Sequence, residues 1–236
     1  MKQISLLAIL MVMVSTADAQ RRRSSTPAPA QNSAFTAETF DGLELRNIGP
    51  AFMSGRIADL AIHPEDESVW YVAVGSGGVW KTENAGTTFT PIFDEQGSYS
   101  IGCVALDPNN PHVVWVGTGE HGGGRHFGYG DGIYKSEDGG TTWKNMGLPN
   151  SEHIGEIIVH PENSDVIYVA SQGPLWSPGG ERGFYKSTDG GATWKKTLGD
   201  EEFTGVTDIV VDPRDANTVY AATWQHHRTV ASLMDG

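Results

Sequence analysis

Ser136-Glu-Asp-Gly-Gly-Thr-Thr-Trp143 recurs as Ser187-Thr-Asp-Gly-Gly-Ala-Thr-Trp194 and, with changes, as Thr82-Glu-Asn-Ala-Gly-Thr-Thr-Phe89. Each copy reads as a tight turn closing a hairpin. The carboxylate accepts backbone N–H groups across the turn. The glycines permit positive φ, and the final aromatic supplies a large side chain for burial. A β-rich run leads into each copy: Val79-Trp-Lys-Thr82, Ile133-Tyr-Lys-Ser136 and Phe184-Tyr-Lys-Ser187.

Four further segments align upstream without gaps: Ile57-Ala-Asp-Leu-Ala-Ile-His-Pro64, Ile101-Gly-Cys-Val-Ala-Leu-Asp-Pro108, Ile154-Gly-Glu-Ile-Ile-Val-His-Pro161 and Val206-Thr-Asp-Ile-Val-Val-Asp-Pro213. Each reads as a strand stopped by proline, which cannot donate to a ladder. An aromatic follows each proline by seven residues, at Tyr71, Trp115, Tyr168 and Tyr220, inside a second β-rich run. The prolines are 44, 53 and 52 residues apart. Four strands per unit at this period predict an all-β chain folded as a β-propeller. The innermost strands read as apolar on both faces, as strands packed between blades do. A parallel β-helix fits less well, because its coils are shorter and need no paired hairpins.

The predicted blades cover about 57–93, 101–147, 154–198 and 206–236, the last only in part. Three full blades plus half a blade imply an incomplete propeller, so the remaining blades of a longer chain are expected. Phe40 to Ile48 reads as a strand able to complete the last blade of a closed ring.

Residues 1–19 read as a secretory signal peptide, ending in the Ala17-Asp18-Ala19 cleavage site. Its apolar run is too short to span a membrane, so the expected location is secreted or periplasmic and not integral to a membrane. Residues 20–35 are polar and Pro-rich, and read as a disordered leader. Across 236 residues, 16 Lys and Arg oppose 29 Asp and Glu, for a formal charge of −13. That balance argues against nucleic-acid binding, which depends on cations neutralising phosphates. A single cysteine, Cys103, excludes an intramolecular disulfide and every multi-cysteine metal site. It reads as a buried small hydrophobe.

The turn motif resembles the Asp-box, or BNR repeat, with Asn84, Asp138 and Asp189 at the Asp position and Phe89, Trp143 and Trp194 at the aromatic one. Asn84 implies a weaker clasp, not a lost one, and the resemblance places these residues on outer hairpins in a structural role. Together with Arg46-Asn-Ile-Gly-Pro-Ala-Phe-Met-Ser-Gly-Arg56, Gly117-Thr-Gly-Glu120 and Gly180-Glu-Arg-Gly183, the repeats resemble a secreted bacterial family of BNR-repeat, sortilin N-terminal-like propellers, often termed glycosyl hydrolases. Such propellers include sialidases, xyloglucanases, sortilin-type receptors and assembly factors, and fold alone does not choose among them. In xyloglucanase-like propellers a catalytic Asp stands two residues before the Gly-Gly that opens the third strand of the first blade. Here Gly77-Gly78 is present and that position is Gly75. The sialidase Arg-Ile-Pro is also missing, Arg56-Ile-Ala being the nearest approach.

Loop length locates the expected site. The second-strand and third-strand aromatics are 9 residues apart in blade one, 19 in blade two and 17 in blade three. Long loops on a rigid scaffold concentrate function. These loops, the lead-ins to the blades and Trp224-Gln-His-His-Arg228 are expected on one rim. The expected ligand-binding residues there are Arg56, His121, Arg125, His126, His153, Trp176, Arg182, Trp224, Gln225 and His226. Glycoside hydrolysis needs two carboxyls, and Glu120 and Glu181 are the loop glutamates that could serve. The competing reading makes Glu120, Glu181 and Arg182 ion pairs that hold the loops. The His spacing fits no standard metal motif, so no metal and no cofactor are expected. His63 and His160, replaced by Asp107 and Asp212 in the other repeats, read as turn formers. The expected partner is a polysaccharide or an extracellular protein or peptide: either a glycan-binding propeller of glycoside hydrolase type, or a protein-binding scaffold.

Overall fold

The computed structural model describes residues 55–236. The expected signal peptide, leader and Phe40–Ile48 strand lie outside the described residues. Blade one comprises β1 (Ile57–Ile62), β2 (Trp70–Val74), β3 (Gly78–Thr82) and β4 (Thr90–Pro91). Blade two comprises β5 (Ile101–Asp107), β6 (Asn110–Thr118), β7 (Ile133–Ser136) and β8 (Lys144–Asn145). Blade three comprises β9 (Ile154–His160), β10 (Asn163–Ser171), β11 (Gly183–Ser187) and β12 (Lys195–Leu198). Each is an antiparallel sheet in chain order, and the first strands β1, β5 and β9 touch in succession. The fourth sheet holds β13 (Thr204–Asp212), which packs on β9, and the long β14 (Asp215–Arg228). A short third strand, β15 (Leu233–Asp235), pairs only with the far end of β14, an addition that no sequence repeat announces. The described residues form an all-β propeller arrangement, in which no helix is long and apolar enough to cross a membrane.

The turns between first and second strands share one device. The side chains of His63, Asp107, His160 and Asp212 each accept the N–H two residues on, at 2.8–3.2 Å. That is an Asx-type turn, with histidine Nδ1 standing in for a carboxylate. These histidines are turn formers, as the sequence predicts.

The Asp-box hairpins seat one blade on the next. In blade two Ser136 Oγ donates to Asp138 Oδ1 (2.7 Å) and accepts Gly140 N–H (2.8 Å), while Asp138 accepts Thr142 N–H (2.8 Å) and Thr142 Oγ1–H (2.6 Å). Blade three repeats the set around Asp189. In blade one Asn84 Oδ1 accepts Thr82 Oγ1–H (3.0 Å) and Thr88 N–H (2.9 Å), and its amide donates to Thr88 Oγ1 (2.8 Å), so the clasp keeps its full pattern. Gly139 and Gly140 take φ of 67° and 93°, which lets the turn lie flat against the preceding blade. There Tyr71 Oη donates to Gly139 O (3.2 Å), and in the next interface a Cβ on Gly191 would stand 2.6 Å from Trp115. The indoles complete the seam: Trp143 Nε1–H donates to Ile92 O and Trp194 Nε1–H to Met146 O, both at 2.7 Å.

Tyr71 and Trp115 are therefore buried, at 2% and 1%, while Tyr168, 3% exposed, is covered by Val206 and Ile209 of β13. A lysine from the facing residue of the third strand lies over each ring: Lys81, Lys135 and Lys186. Tyr220 is 60% exposed, because no following blade among the described residues packs on it. Phe89 corrects one expectation: it is 43% exposed, not buried between blades. No preceding outer strand among the described residues covers it, and it lacks the N–H that anchors Trp143.

Each first strand is bulged at the same repeat position, skipping Ala58, Gly102, Gly155 and Thr207 in the pairing. The bulge re-aims the following residue, Asp59, Cys103, Glu156 or Asp208. Asp59 Oδ2 accepts Val104 N–H of the next blade (2.9 Å). These strands are thus not apolar throughout, because one polar position repeats. Cys103 itself is buried, and burial drives its thiol pKa well up. Glu156 is pushed up to about 7, first by burial and then by the charges of Asp59 and Asp208.

Two pH effects of opposite sign follow. Hydrogen bonds from Thr142 and Ser136 hold Asp138 at about 2, and those from Thr193 and Ser187 do the same for Asp189. A depressed carboxylate stabilises the fold above its ordinary pKa, and that stability is lost as pH falls through about 2. Asp138→Asn, copying Asn84, is expected to keep the hairpin at neutral pH and flatten this acid limb in denaturant titrations. Glu156 behaves inversely: its folded state holds a proton that the unfolded chain releases near its ordinary pKa, so stability falls as pH rises through about 7. Glu156→Gln is expected to narrow the gap in melting temperature between about pH 5 and about pH 8. An unchanged gap would contradict the burial of Glu156 beside Asp59 and Asp208.

Candidate functional site

The loops after β2, β6, β10 and β14 and the lead-ins to β1, β5, β9 and β13 meet on one face. The lead-in residues are fastened alike: Arg56 O accepts Gly75 N–H, Ser100 O accepts Gly119 N–H, His153 O accepts Gln172 N–H and Phe203 O accepts His226 N–H, at 2.7–2.9 Å. This ladder end carries most of the predicted rim.

Glu120 is 5% exposed and binds the Arg56 guanidinium through both carboxylate oxygens. The hydrogen bond to Glu120 raises the Arg56 pKa, and Arg56 also lies over the Phe127 ring, 5.1 Å from its centroid. Ser100 Oγ bridges Glu120 N–H to Gly75 O and Gly128 O. A Cβ on Gly75 would stand 2.6 Å from Glu120 Cδ and 2.7 Å from Oε1. The Glu120 carboxylate therefore fills the space that a side chain at position 75 would need.

His153 is 1% exposed, and its Nδ1 lies 2.8 Å from Glu120 O. Burial lowers its pKa to about 4, with smaller contributions from His226, His121 and Arg182, which places those groups around it. Trp224 stacks on His226 at 5.0 Å with the rings 4° from parallel. The β14–β15 hairpin reaches back across the rim: Arg228 Nε donates to Gly123 O (2.7 Å), and Arg125 donates to Val230 O (3.0 Å). Gln225, His121 and His126 are exposed, His126 with its ring against Phe127.

Arg182 is 1% exposed and gives all five N–H groups to backbone carbonyls: Gly179, Gln172, Phe203, Pro174 and Ser177, at 2.5–3.2 Å. No donor remains for a ligand, and burial lowers its pKa. It is the internal strut of the blade-three loop.

Glu181 sits apart from Glu120. Its Oε2 accepts Asn150 N–H (2.7 Å) and its carbonyl accepts Ser171 Oγ–H (2.6 Å). It lines a groove of about 660 Å³ with Tyr129, Pro149, Asn150, Glu152 and Pro174. Trp176, 36% exposed, belongs to the same blade-three loop. The sequence reading missed Glu152 and Tyr129. Glu152 has a positive φ of 54°, rare for a non-glycine residue, and burial raises its pKa against the pull of Arg182. Only its place next to the predicted His153 could have drawn attention to it. Among the described residues, no group of three or more His, Cys, Asp or Glu side chains converges as a metal site would.

Residues 131–233 match the Sortilin-Vps10 family model, described as sortilin, neurotensin receptor 3. A xyloglucanase of Hypocrea jecorina is 30% identical over 177 residues, covering 69% of this chain and 20% of the relative. A xyloglucanase from Paenibacillus is 23% identical over 78% of this chain and 18% of its own length. The chain thus spans about one fifth of the curated relatives it matches. Among solved structures, a GH74 enzyme of Niastella koreensis superposes with a TM-score of 0.54 at 26% identity, over 69% of this chain and 24% of that one. The GH74 xyloglucanase of Xanthomonas campestris shares the fold, with a TM-score of 0.55 at 18% identity, over 71% and 26%. Repeats, fold and comparisons agree on the class, an Asp-box β-propeller. Within that class, residues 131–233 are similar to sortilin and the chain more widely to xyloglucanase propellers.

Substitutions at Arg182, Gly75 and Glu120 probe this architecture. Arg182→Ala leaves five carbonyls without their shared donor and is expected to destabilise the fold by about 3 kcal/mol. Gly75→Ala is expected to displace Glu120 and lower the melting temperature, and Gly75→Ala combined with Glu120→Ala to recover part of the loss. Thermal melts of the set check both, and a neutral Gly75→Ala would contradict the packing described.

Proposed function

We propose that the loop face is a glycan-binding surface of an exported, glycoside hydrolase-like propeller. The observation that carries the reading is the groove between blades two and three, where the exposed ring of Tyr129 stands beside the Glu152 and Glu181 carboxylates. An aromatic face offers apolar contact to a sugar ring, and carboxylates and backbone groups fix its hydroxyls. Xyloglucanase relatives support a polysaccharide as the ligand class.

Binding is better supported than hydrolysis by these residues. Glu120 is ion-paired with Arg56, and Glu181 is tied to Asn150 in a different pocket. The position that the xyloglucanase resemblance reserves for a catalytic Asp is Gly75, and Glu120 supplies the carboxylate there from the next blade. If the protein hydrolyses glycans, Glu120 and Glu181 are the candidates, with Glu152 joined to them. The sortilin match over blades two to four favours a second reading, a protein-binding scaffold.

Calorimetric titration of the full chain with xyloglucan oligosaccharides separates the two. Glycan binding is expected to raise the melting temperature by mass action, and Glu181→Gln with Tyr129→Ala to weaken affinity at least about tenfold, or 1.4 kcal/mol. No thermal shift at saturating oligosaccharide would leave the scaffold reading in its place.

A further inference from the structure

His153 and Gln172 face each other at the loop-face end of blade three. Ile154 pairs with Ser171, so the next residues outward are directly opposed, and Gln172 N–H donates to His153 O (2.9 Å). Opposed residues project from the same side of a sheet, with Cβ atoms about 5 Å apart. Both side chains are 1% exposed.

Their hydrogen bonds fix their polarity. The oxygen facing His153 Nδ1 is the Glu120 carbonyl, which can only accept, so Nδ1 carries the hydrogen and Nε2 presents a bare lone pair. Burial keeps the ring in this neutral form. Gln172 Oε1 accepts Gly122 N–H (3.2 Å), which turns its amide N–H groups the other way. Neither His153 Nε2 nor Gln172 Nε2 meets a hydrogen-bond partner, and Ser151 Oγ nearby is in the same condition. Buried polar atoms without partners call for an explanation.

A lone pair opposite N–H donors is the complement of one hydroxyl group. The O–H donates to His153 Nε2, and its oxygen accepts from Gln172 Nε2. A carboxylate or phosphate would set lone pair against lone pair at Nε2, and a cation would meet the Gln172 N–H groups. The groove lies next to this point, with Tyr129 between them: the Tyr129 ring is 5.8 Å from the His153 ring, and Glu152 and Pro174, which line the groove, flank the pair in the chain.

We propose that His153 and Gln172 form a recognition site for a single hydroxyl of a neutral sugar residue, reached from the groove when the half-exposed Tyr129 ring turns aside. The ligand rests on the glycan reading above. Water offers the same hydroxyl chemistry in the free protein.

The test pairs crystal structures of the full chain, alone and with xyloglucan heptasaccharide, with calorimetric titration of wild type, Gln172→Glu and Gln172→Leu. Gln172→Glu keeps an acceptor for Gly122 and removes the donor. A sugar oxygen within hydrogen-bond distance of both nitrogens, with affinity at least about tenfold lower in both variants, is the expected result. Wild type and variants that bind the sugar equally, with water at the pair in both crystals, would overturn the proposal and leave the glycan reading standing. No binding by the wild type would overturn both. The wild-type crystals decide even where a variant does not fold.

Discussion

Everything in this propeller depends on how one blade seats on the next. The second-strand aromatic of one blade lies under the Asp-box turn of the following blade, as Tyr71 lies under Gly139 and Trp115 under Gly191. The following blade's indole then donates to the preceding outer strand, Trp143 to Ile92 and Trp194 to Met146. First strands of neighbouring blades are not joined edge to edge as a ladder, but they approach closely: a Cβ on Gly102 would stand 1.9 Å from Ile154 O, and one on Gly155 2.4 Å from Thr207 O. Any side chain at Gly140 would press on Ile92, 2.5 Å from its Cδ1, and lift the turn off its seat. The second glycine of the pair is therefore a packing requirement as much as a conformational one.

The inner ends of the blades solve a different problem. A bulge in each first strand frees backbone N–H groups that the sheet no longer pairs, and a buried unpaired donor is costly. Asp59 answers by accepting Val104 N–H from the next blade. The same repeat position buries Glu156 and sets it near Asp59 and Asp208, and burial first, then those charges, raise its pKa. Asp59, which looks like a loose charge in the repeat alignment, thus acts as an inter-blade tie.

On the loop face, arginine does most of the fastening. Arg56 holds Glu120, Arg182 holds five carbonyls, and Arg125 and Arg228 bind the β14–β15 hairpin to the blade-two loop. Charged donors on carbonyls make stronger bonds than neutral ones, which suits long loops that lack regular pairing. With these cations engaged internally, the groove between blades two and three presents the Tyr129 ring and the Glu152 and Glu181 carboxylates. That inventory suits a neutral polyhydroxylated ligand better than an acidic one.

The repeats alone determined the propeller, because blade formation is local: a proline-stopped strand, an aromatic seven residues on and an Asp-box turn each act within one hairpin. Asn84 shows how far this holds, since an amide reproduces the carboxylate's bonds and the turn survives the change. Blade-to-blade burial was less legible, and Phe89, placed by its repeat position, lies exposed because its cover would come from another blade. The rim could be named from loop lengths, as the meeting of Arg56, Glu120 and His153 illustrates. The partners within it could not. Only the tertiary structure decided that Arg182 faces inward, that Glu120 fills the space beside Gly75, and that Glu152 and Tyr129 share a groove with Glu181. Those contacts join segments far apart in the chain, and their geometry depends on how neighbouring blades are set, which no single repeat encodes.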